Sequence, residues 1–168
     1  MNQAVRQLEA VFNEIAETRM AGLPVVNPAL RVEAIGFREW QGRWLGVLVT
    51  PWFINLVLLP GREATLLNLG PDEKAGWDFP SGSYEFIGLN EPAIGTCHIC
   101  PLISPLAEFA AHEAAQAVAR EIMLALFDKD GRRYELAAQI EEATQSGAQA
   151  GRENLSRRDF LRMPFGGR

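Results

Sequence analysis

The chain has 168 residues, of which 48% are hydrophobic and 22% charged, a composition typical of one folded domain with its own core. A formal net charge of −5 disfavours nucleic-acid binding, which depends on clustered Lys and Arg. The sequence shows neither an apolar signal-peptide segment at its start nor a run of about 18 apolar residues, and its two cysteines are too few for a disulfide framework. We therefore expect a cytoplasmic protein without direct membrane insertion.

The first predicted element is a helix that ends near Gly22. Asn2 can cap its first turn, and apolar residues then recur at three- and four-residue intervals, as in a helix that faces a core: Val5, Leu8, Val11, Phe12 and Ile15.

Five β-rich runs follow, over residues 30–40, 43–50, 53–59, 83–88 and 94–99. Each of the first three runs ends in a turn signal, namely Gln41-Gly42, Thr50-Pro51 and Pro60-Gly61 in chain order, which favours antiparallel pairing in a meander. The second and third runs are almost continuously apolar, as expected for strands covered on both faces. They should form the centre of a roughly five-stranded sheet.

The C-terminal part is predicted to be helical and then flexible. Ser104-Pro105 is a favourable helix start, and a long alanine-rich helix to about Phe127 should pack on the sheet. A shorter helix to about residue 145 follows, and a Gly-containing linker leads into a tail without core residues. We predict an α+β fold with a single domain over residues 1–146, a mainly antiparallel sheet packed by the two longer helices, and a flexible tail over 147–168.

Cys97-His98-Ile99-Cys100 is the obvious candidate for metal or redox chemistry. A closed zinc site needs four ligands, however, and residues three apart on a strand point to opposite faces. Two core-facing thiols are therefore the favoured interpretation, and a thiol- or metal-dependent protein that uses Cys97 and Cys100 is the alternative. His112, on the predicted helix, is assigned no role, and no catalytic constellation is found.

Two other features bear on binding. Aromatic residues cluster around the strand turns, where they belong either to the core or to a protein-binding groove: Trp40, Trp44, Trp52 and Phe53. In the tail, residues 156–162 match the twin-arginine export consensus, with Arg157 and Arg158 followed by Phe160 and Leu161. Such signals normally precede an apolar stretch at the N-terminus, so this copy is not expected to direct export.

The chain resembles the HybE/HupJ (HoxT) accessory proteins of uptake [NiFe]-hydrogenase maturation. The resemblance spans nearly the whole sequence and depends on the order of short motifs: Asn27-Pro28, Trp40-Gln41-Gly42-Arg43-Trp44, Thr50-Pro51-Trp52, Leu59-Pro60-Gly61, Pro80-Ser81-Gly82, Ser104-Pro105-Leu106 and Ser156-Arg157-Arg158-Asp159-Phe160-Leu161. It implies a cytoplasmic chaperone, without cofactor or catalysis, whose partners are the hydrogenase small-subunit precursor with its twin-arginine signal and, as a second candidate, the large subunit. A structural subunit of the assembled enzyme is a further alternative, and the oligomeric state is left open.

A binding mechanism combines these features. A groove near the Trp52-Phe53 turn would take the Phe-Leu part of a signal peptide, and carboxylates at its rim would pair with the two arginines. The candidate carboxylates are Glu39, Asp72, Glu73 and Asp78. The chain's own tail would act as a tethered mimic of the signal.

Overall fold

Two helices and six strands make up the computed structural model, which describes residues 2–129. In chain order they are α1 (Gln3–Glu17), β1 (Glu33–Trp40), β2 (Arg43–Val49), β3 (Ile54–Leu59), β4 (Lys74–Phe79), β5 (Gly82–Glu91), β6 (Gly95–Ile103) and α2 (His112–Leu126). The predicted α+β class is confirmed. The predicted shorter helix and the tail from residue 147 lie outside the described residues.

All strand pairs in the sheet are antiparallel, and the strand order is β1-β2-β3-β6-β5-β4. The expected count of five strands is wrong, because the sequence of β4 is typical of a polar loop. Its residues Ala75, Trp77 and Phe79 alternate with exposed positions as in a strand, but the polar Lys74 and Asp78 make this pattern weak. The simple meander is also wrong beyond β3, since β3 pairs with β6 and leaves β4 at the edge.

The sheet is covered on both faces, and β2 and β3 are buried along almost their whole length, as predicted. One core cluster joins α1 to one face through residues including Val5, Leu8, Phe12, Leu48, Val57 and Ile99. The other cluster joins α2 to the opposite face through residues including Leu45, Val47, Leu56, Tyr84, Phe86 and Ile122. We call these the α1 face and the α2 face.

Helix α1 begins as predicted, because Asn2 Oδ1 accepts a hydrogen bond from the Ala4 N–H at 2.7 Å. Helix α2, in contrast, begins at His112 and not at Ser104. The Ser104 hydroxyl donates to the Trp52 carbonyl, and the buried Asn27 amide donates to the carbonyls of Leu106 and Phe109. These long-range bonds hold the segment before His112 in a non-helical conformation. No helix among residues 2–129 is both long and apolar enough to cross a membrane.

Candidate partner-binding surface

The tip of the β1–β2 hairpin brings residues of both strands together at one end of the sheet. Gln41 and Gly42 both have left-handed backbone conformations, with φ of 48° and 74°, as the favoured two-residue hairpin turn requires. Trp40 pairs with Arg43 and Glu39 pairs with Trp44, so the hairpin places an acidic and an aromatic side chain next to each other on the α1 face.

The loop after β3 packs directly against this tip. A Cβ atom built on Gly61 would lie 1.6 Å from the Gly42 carbonyl oxygen, so only glycine allows this approach. The contact brings the next residues of the loop, Arg62 and Glu63, beside the hairpin.

A cleft of about 480 Å³ lies between these elements, and we call it the acidic cleft. It is lined by Asn2, Glu39, Gly42, Trp44, Arg62 and Glu63. Glu39 and Glu63 are exposed, and neither forms an ion pair with a residue of the described chain. Trp44 is half-buried against the α1-face core. The cleft therefore offers two unpaired carboxylates next to an accessible indole ring.

The other predicted aromatics are not brought together with Trp44 in this cleft. Trp52 is only 8% exposed and packs edge-to-face against Phe53, which in turn contacts Phe12 of α1. Trp40 lies on the α2 face, stacked on Phe79 with ring centroids 4.5 Å apart. The structure thus divides the four predicted aromatics between the two faces, and the Trp52-Phe53 turn is mainly core.

Three of the four predicted acidic residues lie at the far edge of the sheet. Asp72 and Glu73 precede β4 and Asp78 lies on it, whereas Glu39 is on β1 at the opposite edge. The two edges approach each other on the α2 face, where Trp40 of β1 stacks on Phe79 of β4, but Asp72, Glu73 and Asp78 do not line the acidic cleft. Glu73 accepts from the Gly70 N–H and Asp78 from the Ser83 hydroxyl, so both also have local partners. Only Glu39 contributes to the acidic cleft.

Cys97 and Cys100 point to opposite faces of β6, as the strand geometry predicts. Cys97 belongs to the α1-face core and Cys100 to the α2-face core. Burial, with a smaller contribution from a nearby glutamate, raises the pKa of each thiol to about 12. Both are therefore protonated at neutral pH, and within residues 2–129 no cluster of three or more His, Cys, Asp or Glu could hold a metal. Nothing in this placement favours the thiol- or metal-dependent alternative.

His98 connects β6 to β4 and to the loop after β3. The Trp77 indole N–H donates to His98 Nδ1 at 3.2 Å, and His98 Nε2 lies 2.8 Å from the Leu67 carbonyl oxygen. Because an indole N–H can only donate, Nδ1 is the acceptor and Nε2 carries the proton. From the sequence, this connecting role is indicated only by the presence of one histidine within an otherwise apolar strand.

His112, to which the sequence analysis assigns no role, fixes the start of α2 on β1. Its Nε2 lies 2.6 Å from Glu33 Oε2, and its Nδ1 accepts from the Arg31 N–H at 3.3 Å. Burial alone would raise the pKa of Glu33, but the hydrogen bonds from His112 and Gln116, together with electrostatic attraction to His112 and Arg31, lower that pKa below its ordinary value. This network is structural, since His112 is 3% exposed.

Comparisons with known proteins agree with this architecture. The family described as "[NiFe]-hydrogenase assembly, chaperone, HybE" matches residues 3–163. The "Hydrogenase expression/formation protein HupJ" of Bradyrhizobium diazoefficiens is 37% identical over 92% of this chain and 85% of its own length. The "Probable rubredoxin HupJ" of Rhodobacter capsulatus is 41% identical over 76% of this chain, which spans only 46% of that longer protein.

A solved structure shares the fold. The solution structure of HybE from Escherichia coli matches with a TM-score of 0.60 and 24% identity, over 89% of this chain and 86% of that one. The family match extends over nearly the whole sequence, including the hairpin and loop that form the acidic cleft. The chain therefore belongs to the HybE family of [NiFe]-hydrogenase assembly chaperones.

Proposed function

We propose that this chain is a cytoplasmic chaperone, without enzymatic activity, that binds the small-subunit precursor of an uptake [NiFe]-hydrogenase through its twin-arginine signal and so delays export until assembly is complete. The large subunit is a second client in this proposal. Membership of the assembly-chaperone family supports a hydrogenase subunit as the partner. The choice of the signal peptide rests on the chemistry of the acidic cleft.

The observation that carries the proposal is the position of Glu39 and Glu63 beside Trp44, since neither carboxylate forms an ion pair within residues 2–129. Carboxylates bind guanidinium groups in bidentate geometry, and an indole face accepts either an arginine or an apolar side chain. A peptide with two adjacent arginines followed by Phe-Leu presents these groups in close succession. Arg62 at the rim would repel an incoming cation, so the peptide should enter from the Glu39 side.

Replacing both carboxylates, as Glu39→Gln with Glu63→Gln, is expected to weaken binding of a synthetic twin-arginine signal peptide at least tenfold at low salt. The amide side chains keep the shape of the cleft but lose the charge that pairs with the arginines. Isothermal titration of the full chain measures the effect, and the exposed Glu17→Gln on α1 is the matched control. Equal affinities of the double variant and the control would reject the acidic cleft as the site.

The tail enters the proposal as a tethered competitor. Arg157, Arg158, Phe160 and Leu161 repeat the signal pattern, although they lie outside the described residues. Tethering gives even a weak mimic a high effective concentration at the cleft. Deleting residues 152–168 is therefore expected to tighten signal-peptide binding severalfold in the same titration, and an unchanged or weaker affinity would exclude self-inhibition.

A further inference from the structure

A second cavity lies on the α2 face, between β4 and the loop after β3. It has a volume of about 410 Å³, and we call it the edge groove; its lining includes Arg43, Leu67, Leu69, Gly76, Trp77 and His98. Four consecutive residues of the edge strand, 74–77, line it, so the groove runs along the strand. Any occupant would lie beside the backbone of β4.

The backbone of β4 is arranged to accept a further strand. Phe79 and Gly82 pair across a two-residue turn, so this pair exchanges both of its backbone hydrogen bonds. Alternation along the strand then directs the N–H and C=O groups of Lys74, Gly76 and Asp78 away from β5. Among residues 2–129, no other strand pairs with this side of β4.

Gly76 is not explained by the packing of the described chain. A Cβ atom at this position would meet nothing within 4 Å, and neither a positive φ nor a register shift between β4 and β5 calls for glycine. Glycine inside a strand costs stability, and it often marks a site where another backbone approaches closely. Its position on the outward side of the edge strand fits that use.

The chemistry of the groove indicates which segment would bind there. Leu67 is 76% exposed at its rim, and Trp77 supplies an apolar wall. The Arg43 guanidinium lies 4.9 Å from the centre of the Trp77 ring, and its hydrogen-bond acceptors among residues 2–129 are the backbone carbonyls of Gln41 and Thr65. Lys74 is already paired with Glu85 at 3.1 Å, so within the described residues Arg43 is the lining cation without a carboxylate.

We propose that β4 and the edge groove bind an extended segment of the client polypeptide by strand addition, with an apolar side chain of that segment against Leu67 and Trp77 and a carboxylate of that segment on Arg43. Backbone hydrogen bonds would supply affinity, and the groove would select the side chain. The inference rests on the proposed chaperone role but not on the acidic cleft, which lies on the opposite face.

Hydrogen exchange of the full chain tests strand addition. With either purified hydrogenase precursor subunit as the probe, the amides of Lys74, Gly76 and Asp78 are expected to exchange at least tenfold more slowly than in the free chain. Absence of protection with both subunits would overturn the proposal. Slow exchange already in the free full chain would overturn it too, because the chain's own residues would then occupy the edge.

Matched variants test the groove itself. Leu67→Ser is expected to weaken binding of the subunit that slows exchange in β4 about tenfold, because it removes an apolar contact. The control is Leu124→Ser, at a 50% exposed leucine on α2, which should leave this affinity unchanged. Gly76→Pro, which removes one outward N–H, should also weaken binding of this subunit. If this variant does not fold, the comparison of Leu67→Ser with Leu124→Ser tests the groove. Equal effects of the two leucine variants would contradict the proposal. None of these variants should alter binding of the isolated signal peptide, so failure of the acidic cleft and failure of the groove are distinguishable.

Discussion

Gly61→Ala is expected to lower the free energy of unfolding by about 3 kcal/mol or more and to disrupt the acidic cleft. The new methyl group would lie 1.6 Å from the Gly42 carbonyl oxygen, a contact between backbone groups that no side-chain rotation can relieve. Either the hairpin tip or the loop after β3 must move. Because the cleft is lined from both sides of this contact, signal-peptide binding should fall together with stability.

Gly76→Ala is the matched control for this substitution, since its Cβ meets nothing within 4 Å. It should change the free energy of unfolding by about 0.5 kcal/mol or less. Urea denaturation followed by tryptophan fluorescence measures both variants. A Gly61→Ala variant as stable as Gly76→Ala would show that the loop does not pack on the hairpin as described.

Asn27→Asp is expected to cost about 3 kcal/mol at neutral pH, because a carboxylate cannot replace the amide as a donor. Asn27 is buried, and its Nδ2 donates to the carbonyl oxygens of Leu106 and Phe109, both at 2.8 Å. The aspartate would leave two buried acceptors without a donor and place a negative charge beside them. The segment that leads into α2 would lose its attachment to the chain before β1.

The pH dependence of this loss has a definite sign. The charged form of the introduced carboxyl group is disfavoured in the folded state, which raises its folded-state pKa above the unfolded value of about 4. The loss relative to wild type should therefore be small near pH 4 and grow as the pH rises through the interval between these two pKa values. Asn13→Asp, on the exposed face of α1, is the control and should change stability by about 0.5 kcal/mol or less. Urea titrations at several pH values measure both, and equal losses would contradict the role given to Asn27.

Local patterns are enough to predict much of the fold. The cap at Asn2, the turn at Gln41-Gly42 and the central position of β2 and β3 depend on neighbouring residues and on strong apolar periodicity. The start of α2 does not follow from local patterns, because side chains distant in sequence, above all Asn27, bond the backbone before His112. β4 is not predicted, because an edge strand that is half-exposed to solvent contains few apolar residues and shows only a weak alternating pattern.

The candidate site is predictable only in part, for the same reason. Glu39 and Trp44 are neighbours across a hairpin that the sequence predicts, so their proximity follows from local pairing. Glu63 joins them because the loop after β3 packs on the hairpin through Gly61, a contact between non-adjacent elements that no local pattern encodes.

The arrangement of the aromatic residues is also only partly predictable from the sequence. Because Trp40, Trp44 and Trp52 are close in sequence, they are predicted to form one cluster. The alternation of strand faces separates Trp40 from Trp44, and packing against α1 buries Trp52.

The most direct test of the proposed chaperone role compares the hydrogenase small-subunit precursor with the same subunit lacking its signal peptide, each titrated against the full chain. The proposal predicts that the precursor binds at least tenfold more tightly, and that exchanging the two signal arginines for lysines removes most of this difference, because lysine cannot pair with Glu39 and Glu63 in bidentate geometry. Equal affinities for the precursor and the processed subunit would contradict it.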